Sequence, residues 1–272
     1  MLSIEEILLL IEKLEKIKGQ DLQKVIDDNL KLLKDVATAV EANDSDRIAR
    51  LDKTPEWFAR DLEWRYGNIE RKELLEDKLL FEKIYIKIKQ FSKMLGEFNS
   101  LEIGPGYGKF STCFGAWRLN YFLDILPQVK EKIFKRFKSE HHKHLKFCLT
   151  PWHSCDEIPD NSIHFVFSWD TFTFFSQMHI RRYLKDIFRV TLPGGHILLH
   201  YTNCEFDHDL NEAKRGYWSY NTKSAMIKMV KDSGYNVIET EQFAPGANYI
   251  IFQKPGNLNP VLYKTFEIPE TK

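Results

Sequence analysis

Residues 100–111 read SLEIGPGYGKFS, a short apolar run with one acid, followed by three glycines alternating with other residues. Gly104, Gly106 and Gly108 permit a tight turn in which a ligand can touch the main chain, and a turn at a helix N-terminus also presents N–H groups. The pyrophosphate of a dinucleotide calls for G-x-G-x-x-G, and the spacing here is different. Glu102, two residues before the first glycine, would repel a pyrophosphate. The same carboxylate would attract an ammonium or a sulfonium group.

Such a turn needs a sheet to hold it. From Ser100 onward the strand-like runs SLEIG, YFLDI, LKFCL, HFVFS, HILLHY, NVIETEQF and NYIIFQK alternate, for the most part, with helical patterns. That alternation predicts an α/β fold built on a doubly wound, mostly parallel seven-stranded sheet. The last two runs, separated by Ala244-Pro-Gly-Ala247, predict an antiparallel C-terminal hairpin at its edge. Before the sheet, apolar residues recur at three- and four-residue steps from Ile4 to Val40, as in an amphipathic helix pair. These helices offer a surface to the body of the protein or to a second copy in a homodimer. Residues 54–68, TPEWFARDLEWRYGN, open like a capped helix and concentrate Trp57, Phe58, Trp64, Arg65 and Tyr66, which suits either core packing or a lid. The expected organisation is an N-terminal helical extension over 1–96, a ligand-binding domain over 97–255 and a tail over 256–272.

Composition narrows the function. The chain has 272 residues, 43% of them hydrophobic, enough for a full core. Lys and Arg number 39 and so do Asp and Glu, so no global field draws in nucleic acid. No stretch has the length of a membrane span, and Glu5 and Glu6 stand where a signal peptide needs positive charge, so a cytoplasmic location is expected. The four cysteines form no C-x-x-C pair and are read as reduced thiols.

The pattern E-x-G-x-G-x-G after a strand resembles the first motif of class I S-adenosylmethionine-dependent methyltransferases. The resemblance continues in order along residues 100–254. YFLDI ends near Asp124, where the family places an acid that takes both ribose hydroxyls. Thr150 and Trp152 stand near where it encloses the adenine. IPDNSIHFVFSWDTFTFF, with Ser168, is similar to its fourth strand and substrate-facing loop, and YLKDIFRVTLPGGHILLHY to the helix, turn and fifth strand that come next in the family. The resemblance implies that Glu102 meets the methionyl amino end, that Gly104, Pro105, Gly106 and Gly108 bring the backbone to S-adenosylmethionine, and that a sulfonium donor needs alignment with a nucleophile.

Where amino-methylating relatives carry [DNS]-P-P-[YF], this chain has Ser168-Trp-Asp-Thr-Phe172, which favours a hydroxyl acceptor over nucleic acid. A hydroxyl must lose a proton, and His200, at the end of the fifth strand, has an imidazole of ordinary pKa about 6.5. Asp170 would orient that ring or the substrate. Metal-assisted sugar and catechol O-methyltransferases place ligands after the fifth strand, where only Asn203 matches, so no metal is expected. Asp207, His208 and Asp209 read as a solvated loop, and His141, His142 and His144 as surface residues. The pattern IPDNSIHFVFSWDTF, followed by LLHYTN and then GYWSYNTKSAMIKMVKDSGY, resembles methyltransferases of bacterial surface-polysaccharide synthesis, with Trp218 and Tyr220 as rings for a sugar face. The acceptor expected is a nucleotide-linked or phosphorylated sugar, contacted by Trp64, Arg65, Tyr66, Asn203, Trp218 and Tyr220. A natural-product N- or O-methyltransferase and a non-catalytic methyltransferase-like subunit are the alternatives.

Overall fold

The computed structural model describes residues 75–95, 98–114, 118–150 and 154–258, together with the isolated helical residues Lys34, Thr38, Trp57, Ala59 and Arg60. The helix pair expected from Ile4 to Val40, Trp64, Arg65, Tyr66 and Trp152 lie outside the described residues. Seven strands form one sheet: β1 Asn99–Ile103, β2 Leu119–Asp124, β3 Leu145–Leu149, β4 Ile163–Ser168, β5 Thr191–His200, β6 Asn236–Gln242 and β7 Asn248–Gln253. Their order is β3-β2-β1-β4-β5-β7-β6. The first five run parallel and β7 lies antiparallel between β5 and β6, so the architecture is Rossmann-like with the expected C-terminal hairpin. The chain reverses direction across the sheet between β1 and β4. Open α/β sheets bind ligands beyond the strand ends at such a point.

Alternation along the strands separates two faces, as a period of two requires. Val166 of β4, Ile197 and Leu199 of β5 and Ile250 and Phe252 of β7 meet helices α3, Gln177–Val190, and α5, Lys223–Asp232. The intervening residues Phe165, Phe167, Leu198, Tyr249 and Ile251 meet helix α1, Leu75–Leu95, through Ile84 and Ile88. Helix α2, Val129–Phe134, closes the β2 end with Val129 and Ile133 on Phe122. The ends of the α3–α5 layer are fixed by local chemistry: Ser176 and Thr222 cap the two helices with their hydroxyls. A short helix α4, Asp207–Lys214, fills the turn after β5.

Two local readings need correction. The Leu-Pro-Gly-Gly segment is not a turn ahead of the fifth strand; β5 begins at Thr191 and runs through it, with a register shift between the Ile163–Thr191 and Phe165–His196 pairs. Gly194 there has φ +80, and a Cβ on it would fall 2.4 Å from the Leu258 nitrogen. His142 and His144 are half-buried rather than loose on the surface, each bonded through its ring to a backbone carbonyl. Among the described residues, no helix is long and apolar enough to cross a membrane.

Candidate active site at the carboxyl ends of β1, β2, β4 and β5

β1 delivers Glu102 into the protein interior, where the residue is 3% exposed and accepts a 2.6 Å hydrogen bond from the Ser111 hydroxyl. Burial pushes its carboxyl up to about 8, with the Ser111 bond and nearby Arg136 pulling the other way. An acid held this far from water is stabilised as an anion by a cation placed beside it. Asp124, the last residue of β2, is 7% exposed and accepts from the Leu126 N–H at 2.9 Å. Burial raises it to about 6, and the backbone N–H groups of Leu126, Gly106 and Ile125 oppose that rise. A carboxylate has lone pairs for further donors, such as a pair of vicinal hydroxyls.

The turn between these acids is shaped by its glycines. Gly104 has φ +65 and its N–H still bonds Leu123 of β2 at 2.8 Å. A Cβ on Gly104 would stand 2.0 Å from the Thr171 Oγ1, so only glycine lets the loop after β4 close over it. Gly106 and Gly108 also have positive φ, and Pro105 is buried between them and Gly104. The chain then enters a 3₁₀ turn, Ser111–Phe114, and not the first turns of a long helix. The N–H groups of the glycine turn therefore act one by one, without a macrodipole behind them.

On the β4–β5 side a cavity of about 160 Å³ opens beside this turn. Lys109 and Phe110 line it from the glycine turn, Trp169 and Asp170 from the end of β4, and His200 from the end of β5. His208 of α4, Trp218, the hairpin turn Pro245–Ala247 and Leu80, Phe81 and Ile84 of α1 complete the lining. The helix preceding the sheet thus reaches the site: Phe81 stacks on Phe110 with centroids 5.4 Å apart.

Residues 101–199 match a family model described as a methyltransferase domain, and that span contains Glu102, the three glycines, Asp124 and Asp170. Over those residues the chain carries a methyltransferase domain. The fold agrees. An S-adenosylmethionine-dependent methyltransferase from Mesorhizobium loti superposes with a TM-score of 0.52 at 11% identity, over 62% of this chain and 96% of that one. The N-methyltransferase NodS from Bradyrhizobium japonicum WM9 gives 0.50 at 15% identity, over 66% and 99%. The [4+2]-cyclase SpnF gives 0.52 at 11% identity, over 69% and 84%, so likeness of this degree speaks for the fold and not for the reaction. No curated protein matches the chain in sequence.

Within the methyltransferase domain, the residues expected to hold S-adenosylmethionine converge. Glu102 and Asp124 are on adjacent parallel strands, offset by two residues in register since Glu102 pairs with Phe122, and the glycine turn follows Glu102. Bound there, the cofactor supplies an electrophilic methyl on a positive sulfur, and the buried acid fits its ammonium end. Thr150 is buried near Asp124, its N–H bonded to the Asp124 carbonyl at 3.0 Å and its hydroxyl to the Ser154 carbonyl. Ser168 is buried with its hydroxyl donating to the Ile103 carbonyl at 2.7 Å, so its side chain ties β4 to β1.

The acceptor side departs from expectation at two residues. His200 is 1% exposed, and both of its ring nitrogens are engaged. Nε2 lies 2.7 Å from the Gly246 carbonyl, while Nδ1 lies 3.1 Å from the Asp170 nitrogen and 3.0 Å from its carboxylate. A neutral ring donates to Gly246 and accepts from the Asp170 N–H; a protonated ring donates from both sides. Neither form keeps a nitrogen for the acceptor, so His200 is placed to orient Asp170 and support Trp169, which stacks on it at 4.4 Å. Asn203 is also corrected. It is 2% exposed, and its amide oxygen accepts from the Lys223 and Glu205 N–H groups, pinning the loop rather than facing a substrate.

Asp170 and Trp218 both line the cavity. The Asp170 side chain is 48% exposed, and its backbone has φ +58, a left-handed conformation that aspartate tolerates better than most residues. Tyr220 is half-buried and does not line the cavity. Trp57, from the aromatic segment 54–68, is buried with its ring edge on Phe174 at 5.9 Å. Lys109, Trp169 and His208 were not expected in the site. Each comes from a different element, and no local pattern unites them. Among the described residues, no group of three or more acids, histidines or cysteines gathers as a metal site.

Proposed function

We propose that this methyltransferase moves the methyl group to a hydroxyl of a sugar-type acceptor, nucleotide-linked or phosphorylated, in surface-polysaccharide synthesis on the cytoplasmic side. The observation that carries the hydroxyl reading is the half-exposed Asp170 carboxylate facing an aromatic cavity beside the cofactor turn. A hydroxyl becomes a competent nucleophile as its proton leaves, and a carboxylate at its oxygen accepts that proton or fixes its direction. The sugar reading draws on Trp218, whose ring offers a flat face to C–H groups, and on Lys109 at the rim as a counter-charge for phosphate. Surface-polysaccharide synthesis rests on the sequence resemblance of residues 158–172, 198–203 and 216–235 alone.

An amine acceptor is the second reading, since the same carboxylate pairs with an ammonium and one structural neighbour, NodS, is an N-methyltransferase. The test is transfer of labelled methyl from S-adenosylmethionine to glucose 1-phosphate, UDP-glucose, catechol, benzylamine and RNA. Transfer to the sugar compounds supports the proposal. Transfer confined to catechol, benzylamine or RNA overturns it.

A further inference from the structure

With both nitrogens of His200 engaged, the cavity holds a second histidine on a different footing. We infer that His208 takes the acceptor's proton, oriented by Asp209, a role that rests on the hydroxyl reading of the acceptor. His208 lies in the first turn of α4, lines the cavity with Asp170 and Trp218, and has a side chain 48% exposed. Its Nδ1 is 3.3 Å from Oδ1 of Asp209, and among the described residues Nε2 has no hydrogen-bond partner.

Asp209 is built in rather than solvated. Its side chain is 0% exposed, and Oδ2 accepts 2.7 Å bonds from the Asn203 N–H and the Asn248 amide. A fully buried acid with three donors around it holds its orientation, and a ring that donates Nδ1–H to such an acid keeps Nε2 as the acceptor. The hairpin turn leaves room for that ring: a Cβ on Gly246 would fall 2.6 Å from His208 Cε1 and 3.1 Å from Trp218. The Pro245–Ala247 turn and Trp218, which pack on the ring, carry no charge; the charged and titratable groups sharing the cavity are Lys109, Asp170 and His200.

The step balances without another reactant. The acceptor oxygen forms a bond to the methyl carbon, the carbon–sulfur bond breaks, and its electron pair stays on sulfur as a neutral thioether. The hydroxyl proton passes to His208 Nε2, and the half-exposed imidazolium then loses it to water. Asp170, which also lines the cavity, would fix the direction of the acceptor.

The experiment has one arm that needs no acceptor. In ¹⁵N-histidine-labelled protein, two-bond nitrogen–proton correlations should show neutral His208 as the Nδ1–H tautomer, and Asp209→Asn should shift it toward Nε2–H. An Nε2–H tautomer in the wild type overturns the proposal. In the second arm, wild type and His208→Ala are assayed with whichever of glucose 1-phosphate, UDP-glucose or catechol the wild type methylates. His208→Ala should lower kcat by about 10²- to 10⁴-fold, with S-adenosylhomocysteine affinity within about two-fold and partial recovery on adding imidazole. Wild-type kcat in His208→Ala overturns the role and leaves the hydroxyl reading standing. Wild-type transfer to benzylamine alone removes both.

Discussion

The two halves of this active site are built in opposite ways. The cofactor half gathers Glu102, the glycine turn and Asp124 within about two dozen residues on neighbouring parallel strands, and it buries both acids. The acceptor half draws one to three residues each from α1, the segment after the glycine turn, the ends of β4 and β5, α4 and the hairpin turn, and leaves Asp170 and His208 about half exposed. Burial on one side stores unfavourable electrostatics that a bound cation relieves. Exposure on the other keeps carboxylate and imidazole near water, where protons can leave. On the proposed assignment, a cofactor common to many reactions would meet the buried half, and an acceptor particular to one reaction the mosaic.

The sharpest way to break this division is to add one methyl group to each half. Gly104→Ala should collide with Thr171 at a left-handed backbone position, destabilise the fold by about 3 kcal/mol or more and remove measurable S-adenosylmethionine binding. Gly246→Ala should instead press on His208 and Trp218, lowering kcat while leaving cofactor affinity within about two-fold. Thermal melts and cofactor titrations of the two variants separate the cases. Equal loss of cofactor binding in both would mean that the halves are one unit.

A second contrast concerns stored strain. Glu102 has an ordinary value near 4.5 and about 8 in the fold. Between those pH values the unfolded chain ionises the group while the folded protein keeps it neutral, so stability falls as pH rises through that window and is level above it. Glu102→Gln removes the effect. At pH 7 it should stabilise the ligand-free protein by about 2 to 3 kcal/mol and weaken S-adenosylmethionine at the same time. Denaturant melts at pH 5 and pH 7 check the sign: the gain should shrink toward pH 5. A gain of the same size at both values would place its origin outside this carboxyl.

The same linkage acts on binding. Below about 8 the free protein must release a proton from Glu102 to face an ammonium, and below about 6 a second from Asp124. Affinity for S-adenosylhomocysteine should therefore rise from pH 6 to 7.5, by up to about ten-fold per unit. Calorimetry in buffers of different ionisation enthalpy should record the released proton, and Glu102→Gln should flatten the slope. The smallest effect belongs to the acceptor side, where Trp218→Ala should raise the acceptor KM by a few-fold, about 0.5 to 1.5 kcal/mol. Steady-state kinetics with the best acceptor measures it.

The division also explains what could be read in the sequence. All seven strands stand within a few residues of their expected positions, because alternating apolar runs arise from the pleat itself. Glu102, the glycines and Asp124 could be singled out together because Glu102 and the glycines lie within seven residues and Asp124 ends the next strand. His200 was misread because its end-of-strand position is visible in sequence, while the Gly246 carbonyl that engages it is 46 residues away. Asp207-His208-Asp209 looked like a solvated loop for a related reason. Helix α4 turns Asp209 inward to Asn203 and Asn248, and only long-range packing shows that. One signal was present, a histidine preceding an acid just past the fifth strand, but a pair of that kind is common on surfaces.

The central claim is that Glu102, the glycine turn and Asp124 form the cofactor site independently of the acceptor cavity. Its most direct test is calorimetric titration of S-adenosylhomocysteine into wild type, Asp124→Ala and Trp218→Ala at pH 7. Wild type and Trp218→Ala should bind alike, and Asp124→Ala should bind about 10- to 100-fold more weakly, about 1.5 to 3 kcal/mol. Absence of binding by the wild type, or an Asp124→Ala affinity equal to that of the wild type, would contradict it.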